Sequence, residues 1–229
     1  MMKHFSLFLL VLILSGLVAL SHVPKEVMAI EEVESERGYN LTSVESTNKN
    51  AVEIDGIRFE ILVPNRVWLI PENRPDVNTL IQLAIRITNN SPSPIRLPFF
   101  DPLLVIPLEI VEADGKVLQS KGGRDRLLNS PQLACPLIQP GEHATFFPDT
   151  KVFWQKNSLL IGGSDGLGGS WYFDNIKPGD YQIRFRYISS RSVRPCYDPK
   201  KDEEHLIREI WTGEATTPFV KVYVVYPGT

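Results

Sequence analysis

The sequence predicts an all-β fold: a two-sheet antiparallel sandwich with long loops and one short helix near residues 199–210. Behind the turn cluster Lys177-Pro178-Gly179-Asp180, Tyr181, Ile183, Phe185 and Tyr187 alternate with Gln182, Arg184 and Arg186, the period of a half-buried strand. Ile81, Leu83, Ile85 and Ile87 alternate in the same way with Gln82, Ala84, Arg86 and Thr88. From Ala51 onward, short apolar runs are separated by Gly, Pro, Asn and Asp clusters, with almost no helical period.

Length and composition agree with one substantial core. The 229 residues are 43% hydrophobic and 22% charged, with a formal net charge of −3. That balance argues against a nucleic-acid partner, which needs a basic surface. Lys3 and His4 precede an apolar run from Phe5 to Leu20, and Ala19-Leu20-Ser21 supplies the small residues of a cleavage site, so residues 1–21 read as an export signal. Val27-Met28-Ala29 is a second cleavage candidate, and an uncleaved N-terminal anchor is the alternative. Residues 22–50 carry many charges and few apolar groups, the composition of a disordered polar arm, and residues 51–229 form the folded domain. The expected location is secreted or periplasmic, or membrane-tethered if the first segment stays attached.

Cys135 and Cys196 are the only cysteines. An exported chain with an even count usually pairs them, which predicts a disulfide; two free thiols are the alternative. Neither has the close companions of a zinc or redox site.

Taken in order, Val52 to Val63 contains the hairpin signal Asp55-Gly56, with Ile57, Phe59, Ile61 and Val63 on one face. Val67 to Ile70 is a short continuation closed by Pro71. Leu80 to Asn89 is the clearest strand and ends in the turn Asn89 to Pro94. Strands over Ile95 to Phe99 and Val105 to Val111 lead to the turn Ala113-Asp114-Gly115-Lys116. After a polar stretch, Ala144 to Phe147 and Val152 to Ile161 are apolar. Gly162 to Gly169 then read as a glycine-rich loop, closed by Trp171-Tyr172-Phe173. Tyr181, two residues past Gly179, suggests a tyrosine corner whose hydroxyl folds back on the preceding backbone. Asp198-Pro199 and the acidic residues that follow read as a helix start, with Leu206, Ile207 and Ile210 to dock it. Thr216 to Tyr226 is the last strand, with Val220, Val222 and Val224 on one face.

No catalytic, cofactor or metal pattern stands out. The glycine loop lacks the following helix and lysine of a phosphate loop. His205 beside Glu203 and Glu204 reads as a solvated charged turn, and Arg184, Arg186, Arg191 and Arg194 as an exposed sheet face. The aromatic clusters Phe99-Phe100, Phe146-Phe147 and Trp171-Tyr172-Phe173 read as core. Asn40-Leu41-Thr42 and Asn89-Asn90-Ser91 match the glycosylation acceptor pattern.

The order of these features resembles bacterial immunoglobulin-like or fibronectin type III-like domains. The residues that carry the resemblance are Leu83 to Pro94, Asp114-Gly115, Pro140-Gly141-Glu142, Pro178-Gly179-Asp180-Tyr181 and Trp211-Thr212-Gly213-Glu214. Tyr181, Gly179 and Trp211 take structural roles in this reading. Ile183 stands where an antibody domain has its second core cysteine, so a disulfide here is a loop staple. Asn89 to Leu97, Asp114-Gly115 and Leu137 to Glu142 are also similar to immunoglobulin-like bacterial proteinase inhibitor domains. Chagasin-like inhibitors use three loops at one end of such a sandwich; the comparable places hold Asn89-Asn90-Ser91-Pro92, Gly162 to Gly169 and Arg194-Pro195-Cys196-Tyr197, without the threonine pair and with cysteine in the aromatic position.

The expected function is an exported, non-enzymatic binding or structural domain that presents the loops 89–94, 162–170 and 189–215 to a protein, peptide or glycan. Asn90, Gly163, Gly166, Arg194 and Tyr197 are the candidate binding residues, with no cofactor. The alternative is a loop-based protease inhibitor.

Overall fold

Every described element with a regular ladder is a strand, set by the two-residue alternation of apolar side chains. The computed structural model describes residues 48–97, 108–124, 135–165, 168–198 and 203–228. All of them fall within one unit, Ser43–Thr229. After a single 3₁₀ turn the strands are β1 (Ala51–Ile54), β2 (Ile57–Leu62), β3 (Val67–Leu69), β4 (Asn78–Leu80), β5 (Ala84–Asn89) and β6 (Ile95–Arg96). Then come β7 (Leu108–Glu112), β8 (Ser120–Arg124), β9 (Leu137–Ile138), β10 (His143–Phe146), β11 (Lys151–Gln155) and β12 (Ser158–Ser164). The last six are β13 (Gly169–Phe173), β14 (Gly179–Ser189), β15 (Arg194–Asp198), β16 (Glu203–Ile207), β17 (Gly213–Thr216) and β18 (Val220–Val225).

Hydrogen bonding sorts these strands into three larger sheets and two ribbons among the described residues, where the sequence suggests two sheets. The sheets run β1-β2-β5-β10, β4-β11-β12-β13-β8 and β17-β14-β18-β3, with β7 also on β14; the ribbons are β15-β16 and β6-β9. Among the described residues the strand pairings are antiparallel except for β3 on β18, and an isolated parallel bridge joins Arg96 to Ile210. The expected strand Leu80 to Asn89 is where the chain changes sheets. Leu80 pairs with Lys151 in the second sheet, Ile81 N donates to Thr150 O at 2.8 Å, and Ala84 pairs with Leu62 in the first. Ile81, Leu83, Ile85 and Ile87 are all buried, so the alternation runs unbroken across a break in the ladder.

All three larger sheets contribute to one core. Ile57, Phe59 and Ile61 of β2, Ile85 and Ile87 of β5, Leu159 and Ile161 of β12, and Val220, Val222 and Val224 of β18 are buried there. The strand β14 adds Tyr181, Ile183, Phe185 and Tyr187, all buried, while Gln182 and Arg186 face out. Its entry is pinned as the turn chemistry implies: Tyr181 OH donates to Lys177 O and accepts from Lys177 N, both at 2.9 Å. Burial raises the Tyr181 phenol pKa, and the bond to the Lys177 backbone offsets part of that rise.

The last strand is interrupted where proline removes a ladder donor. Arg186 pairs with Thr216 and Ile183 with Val220, so Arg184 and Phe185 face the three residues Thr217, Pro218 and Phe219, a bulge. The buried Thr217 repairs it: its Oγ1 accepts from Phe185 N and its N donates to Phe185 O, both at 2.9 Å.

The structure differs from the expected elements in two further places. No helix forms within the described part of 199–210; Glu203–Ile207 is the strand β16, paired with β15 from Arg194↔Ile207 to Asp198↔Glu203. Alternation of Glu204 and Leu206 with His205 and Ile207, locked by the covalent hold on Cys196, overrides the capping pattern. Part of the glycine-rich stretch, 162–164 and Gly169, is sheet as well. Gly162 and Gly163 belong to β12 and are buried, and pair with Tyr172 and Trp171 of β13. A Cβ on Gly163 would overlap the Asp149 carbonyl, and one on Gly162 the Trp171 carbonyl, so these glycines are selected for close backbone packing.

Gly163→Ala is expected to destabilise the protein by about 3 kcal/mol, read from urea unfolding, because backbone must move to admit the methyl group. Tyr181→Phe is expected to cost about 1–2 kcal/mol in the same measurement, since the Lys177 N–H and C=O lose their shared partner.

Candidate functional site

The turn after β5 is built around one buried amide. Asn89 is fully buried, and both hydrogens of its Nδ2 are used, to Ser93 O at 2.8 Å and Ile138 O at 2.9 Å. Its Oδ1 accepts from Ser91 N at 3.0 Å and Ser91 Oγ at 2.7 Å. Its backbone N donates to Glu142 O and its O accepts from Gly141 N, at 2.9 and 2.7 Å. Four side-chain bonds exhaust what an amide can make, so the turn 89–93 and the segment 138–142 are locked together. The Asn89-Asn90-Ser91 acceptor pattern therefore has no free amide to modify, and Asn40 lies outside the described residues.

Arg96 carries the connection onward. It pairs with Leu137, its Nη1 donates to Cys135 O at 3.0 Å, and its O accepts from Trp211 N at 3.0 Å. Leu97 N donates to Pro136 O at 3.4 Å. Cys135 is bonded to Cys196 of β15, with Cα atoms 5.6 Å apart at a sequence separation of 61. Both cysteines are buried beside Ile210, with Ile207 packed on the cluster. Closing a loop of that length removes on the order of 4 kcal/mol of unfolded-chain entropy. The bond joins a segment before β9 to a hairpin, so it staples loops and does not cross the main core.

Trp211 sets the far wall. Its ring stacks on Tyr187 at 5.7 Å and tilts against Phe59 at 5.2 Å. Gly213 leaves room for it, since a Cβ there would lie 2.6 Å from Trp211 Cη2. Among the described residues Tyr187 is the most perturbed phenol: burial pushes its pKa up to about 12, while the neighbouring Ser189 and the positive Arg194 pull the other way.

The candidate residues divide between this region and elsewhere. Asn90 is exposed at its edge, with its N donating to Gly56 O at 2.7 Å and its Nδ2 to Glu53 Oε2 at 2.9 Å. Arg194 opens β15 and is half-buried near Tyr187; Tyr197 follows on the same strand, one residue beyond the bonded Cys196. Gly163 is instead a buried strand residue of the second sheet, against Asp149 and Trp171, and Gly166 lies outside the described residues. Gly179 opens β14 with nothing near its Cβ direction.

The arginine strip divides: Arg184 and Arg186 lie on a charge-paired face of β14, Arg191 is exposed outside the strands, and Arg194 is half-buried on β15. Arg184 contacts Glu109 at 2.7 Å and lies over the Phe219 ring, 4.4 Å from its centroid. Arg186 pairs with Glu214 at 2.9 Å, and Lys221 with Asp180 at 2.7 Å. His205 Nε2 is 2.9 Å from Glu203. Among the described residues no group of three metal-ligating side chains gathers. Trp171 and Phe173 are core residues, and Phe99-Phe100 lies outside the described residues. Asn89 and Arg96 pass for plain turn and strand residues in the sequence. An asparagine closing an otherwise apolar strand, just ahead of Asn-Ser-Pro-Ser, is the signal that marks the first. Arg96 has none, because its partners come from distant segments.

Comparison with protein-family models, with curated proteins and with solved structures finds no match.

Asn89→Ala is expected to lower unfolding free energy by about 3 kcal/mol, with Asn90→Ala within about 0.5 kcal/mol of the parent, measured by urea denaturation. The Tyr187 phenol, raised above its unfolded value near 10 to about 12, adds stability that is fully present below pH 10 and lost as pH rises through about 12. Alkaline titration of phenolate absorbance is expected to show this step in the parent and not in Tyr187→Phe.

Proposed function

We propose that this chain is an exported, non-enzymatic binding or structural domain, with an immunoglobulin-like arrangement of its sheets, that presents the surface around Asn90, Arg194 and Tyr197 to a protein, peptide or glycan. The observation that carries the reading is the Cys135–Cys196 disulfide, because such bonds persist in oxidising compartments outside the cytosol. The N-terminal apolar run ahead of it agrees with export, and no described helix is long and apolar enough to cross a membrane. Recognition of this kind needs rigid display, and Asn89, Arg96 and the disulfide together supply it.

Gly163 drops out of the presented surface because it is buried in β12. Protease inhibition through the same loops is the second reading, favoured by the rigid turn after β5.

Peptide and glycan arrays probed with oxidised protein are expected to give signals that Asn90→Ala with Arg194→Ala and Tyr197→Ala abolishes; blank arrays, or signals indifferent to those changes, overturn the binding surface. A panel of papain-type and serine proteases at micromolar protein decides the second reading, which a complete lack of inhibition removes.

A further inference from the structure

The β15–β16 hairpin is joined to the segment before β9 by one covalent bond. Its strands pair with each other and with no other sheet among the described residues. An isolated two-stranded ribbon is at best marginally stable in water. What draws it inward is Cys196 on Cys135, with Ile207 and Ile210 against the sulfur pair, a cluster separate from the main core.

The two ends of the bond are held very differently. On the Cys135 side, Arg96 grips Cys135 O, Leu97 N donates to Pro136 O, β9 pairs with β6, and Asn89 bonds Ile138 O. None of these contacts involves the hairpin. On the Cys196 side the foot is fixed: Ile210 N donates to Ser192 O at 3.1 Å, and Trp211 stacks on Tyr187. Between those feet, Glu203, Glu204 and Leu206 are exposed, and among the described residues the hairpin is held inward by the disulfide, by Ile207 and by the half-buried Arg194 and His205.

We propose that the Cys135–Cys196 disulfide is a redox-operated latch: oxidised, it holds the β15–β16 hairpin against the segment before β9, and a dithiol reductant releases the hairpin while the three-sheet core stays folded. Both sulfurs are buried in the closed form, so attack follows a transient opening of the hairpin. One thiolate of the dithiol attacks a cysteine sulfur, breaking the Sγ–Sγ bond and forming a mixed disulfide. The second thiol of the same molecule then displaces that sulfur. The dithiol leaves as its own disulfide, and its two electrons and two protons leave Cys135 and Cys196 as thiols. Release changes the presentation of Arg194 and Tyr197, which lie on the freed strand. The latch does not depend on what that surface binds.

Hydrogen exchange of the full chain in native buffer, with and without dithiothreitol, tests it. Dithiothreitol is expected to yield two thiols that label without denaturant. Peptides over 194–198 and 203–207 are expected to exchange faster by about a hundredfold or more, while peptides over 181–187 and 220–224 stay protected. The double variant Cys135→Ser, Cys196→Ser is expected to show the open hairpin with or without dithiothreitol. The latch is overturned by a disulfide that resists reduction in native buffer, by hairpin protection that survives reduction, or by core protection lost together with the hairpin's.

Discussion

A buried amide must find every hydrogen bond it can make, and at Asn89 that demand ties distant pieces of chain into one end of the molecule. The amide joins its own turn to the segment that leads out of β9, and Arg96, a few residues on, extends the tie to Cys135 and Trp211. The disulfide then brings in the hairpin. Without the amide the turn would still be a turn, but its register against residues 138–142 would be set only by weaker backbone contacts.

The core beneath is organised by β14. It is long enough to pair with β18 and β7 over its first half and with β17 at its end. The bulge at Thr217 to Phe219 lets β17 turn away, so that Trp211 can reach Tyr187 and Phe59. The hydroxyl of Thr217 accepts the Phe185 N–H within the bulge, which keeps that donor satisfied in a buried strand. Aromatic packing thus links the far end of β14 to the centre of the first sheet.

Much of this is readable from residue order. The alternation in β14 and β18 names the buried side chains almost one by one, because a pleated strand sends successive side chains to opposite faces, whereas in β2 and β5 it misses Glu60, Leu62 and Ala84, which are buried on the other face. Tyr181 and its turn are readable for the same local reason. The hairpin at Glu203–Ile207 is not: Asp198-Pro199 and a run of charges favour a helix start, and the extended form comes from pairing with Arg194–Asp198, the strand that the Cys135–Cys196 bond holds. Gly162 and Gly163 read as loop because glycine marks flexibility when neighbours are unknown; their neighbours turn out to be carbonyls too close for any Cβ.

By itself the sequence determined that this chain is built of strands, where most of them lie and which faces they bury, since those properties follow from side-chain period and turn chemistry over a few residues. Which strands pair was decided by the tertiary structure. The apolar pattern runs smoothly through Ile81 to Leu83 while the ladder jumps from one sheet to another there, because alternation records a buried face and not the partner that buries it. The gathering of Asn89, Arg96, Cys135, Cys196 and Trp211 is likewise a property of the folded chain alone, since each is satisfied by groups far away in sequence.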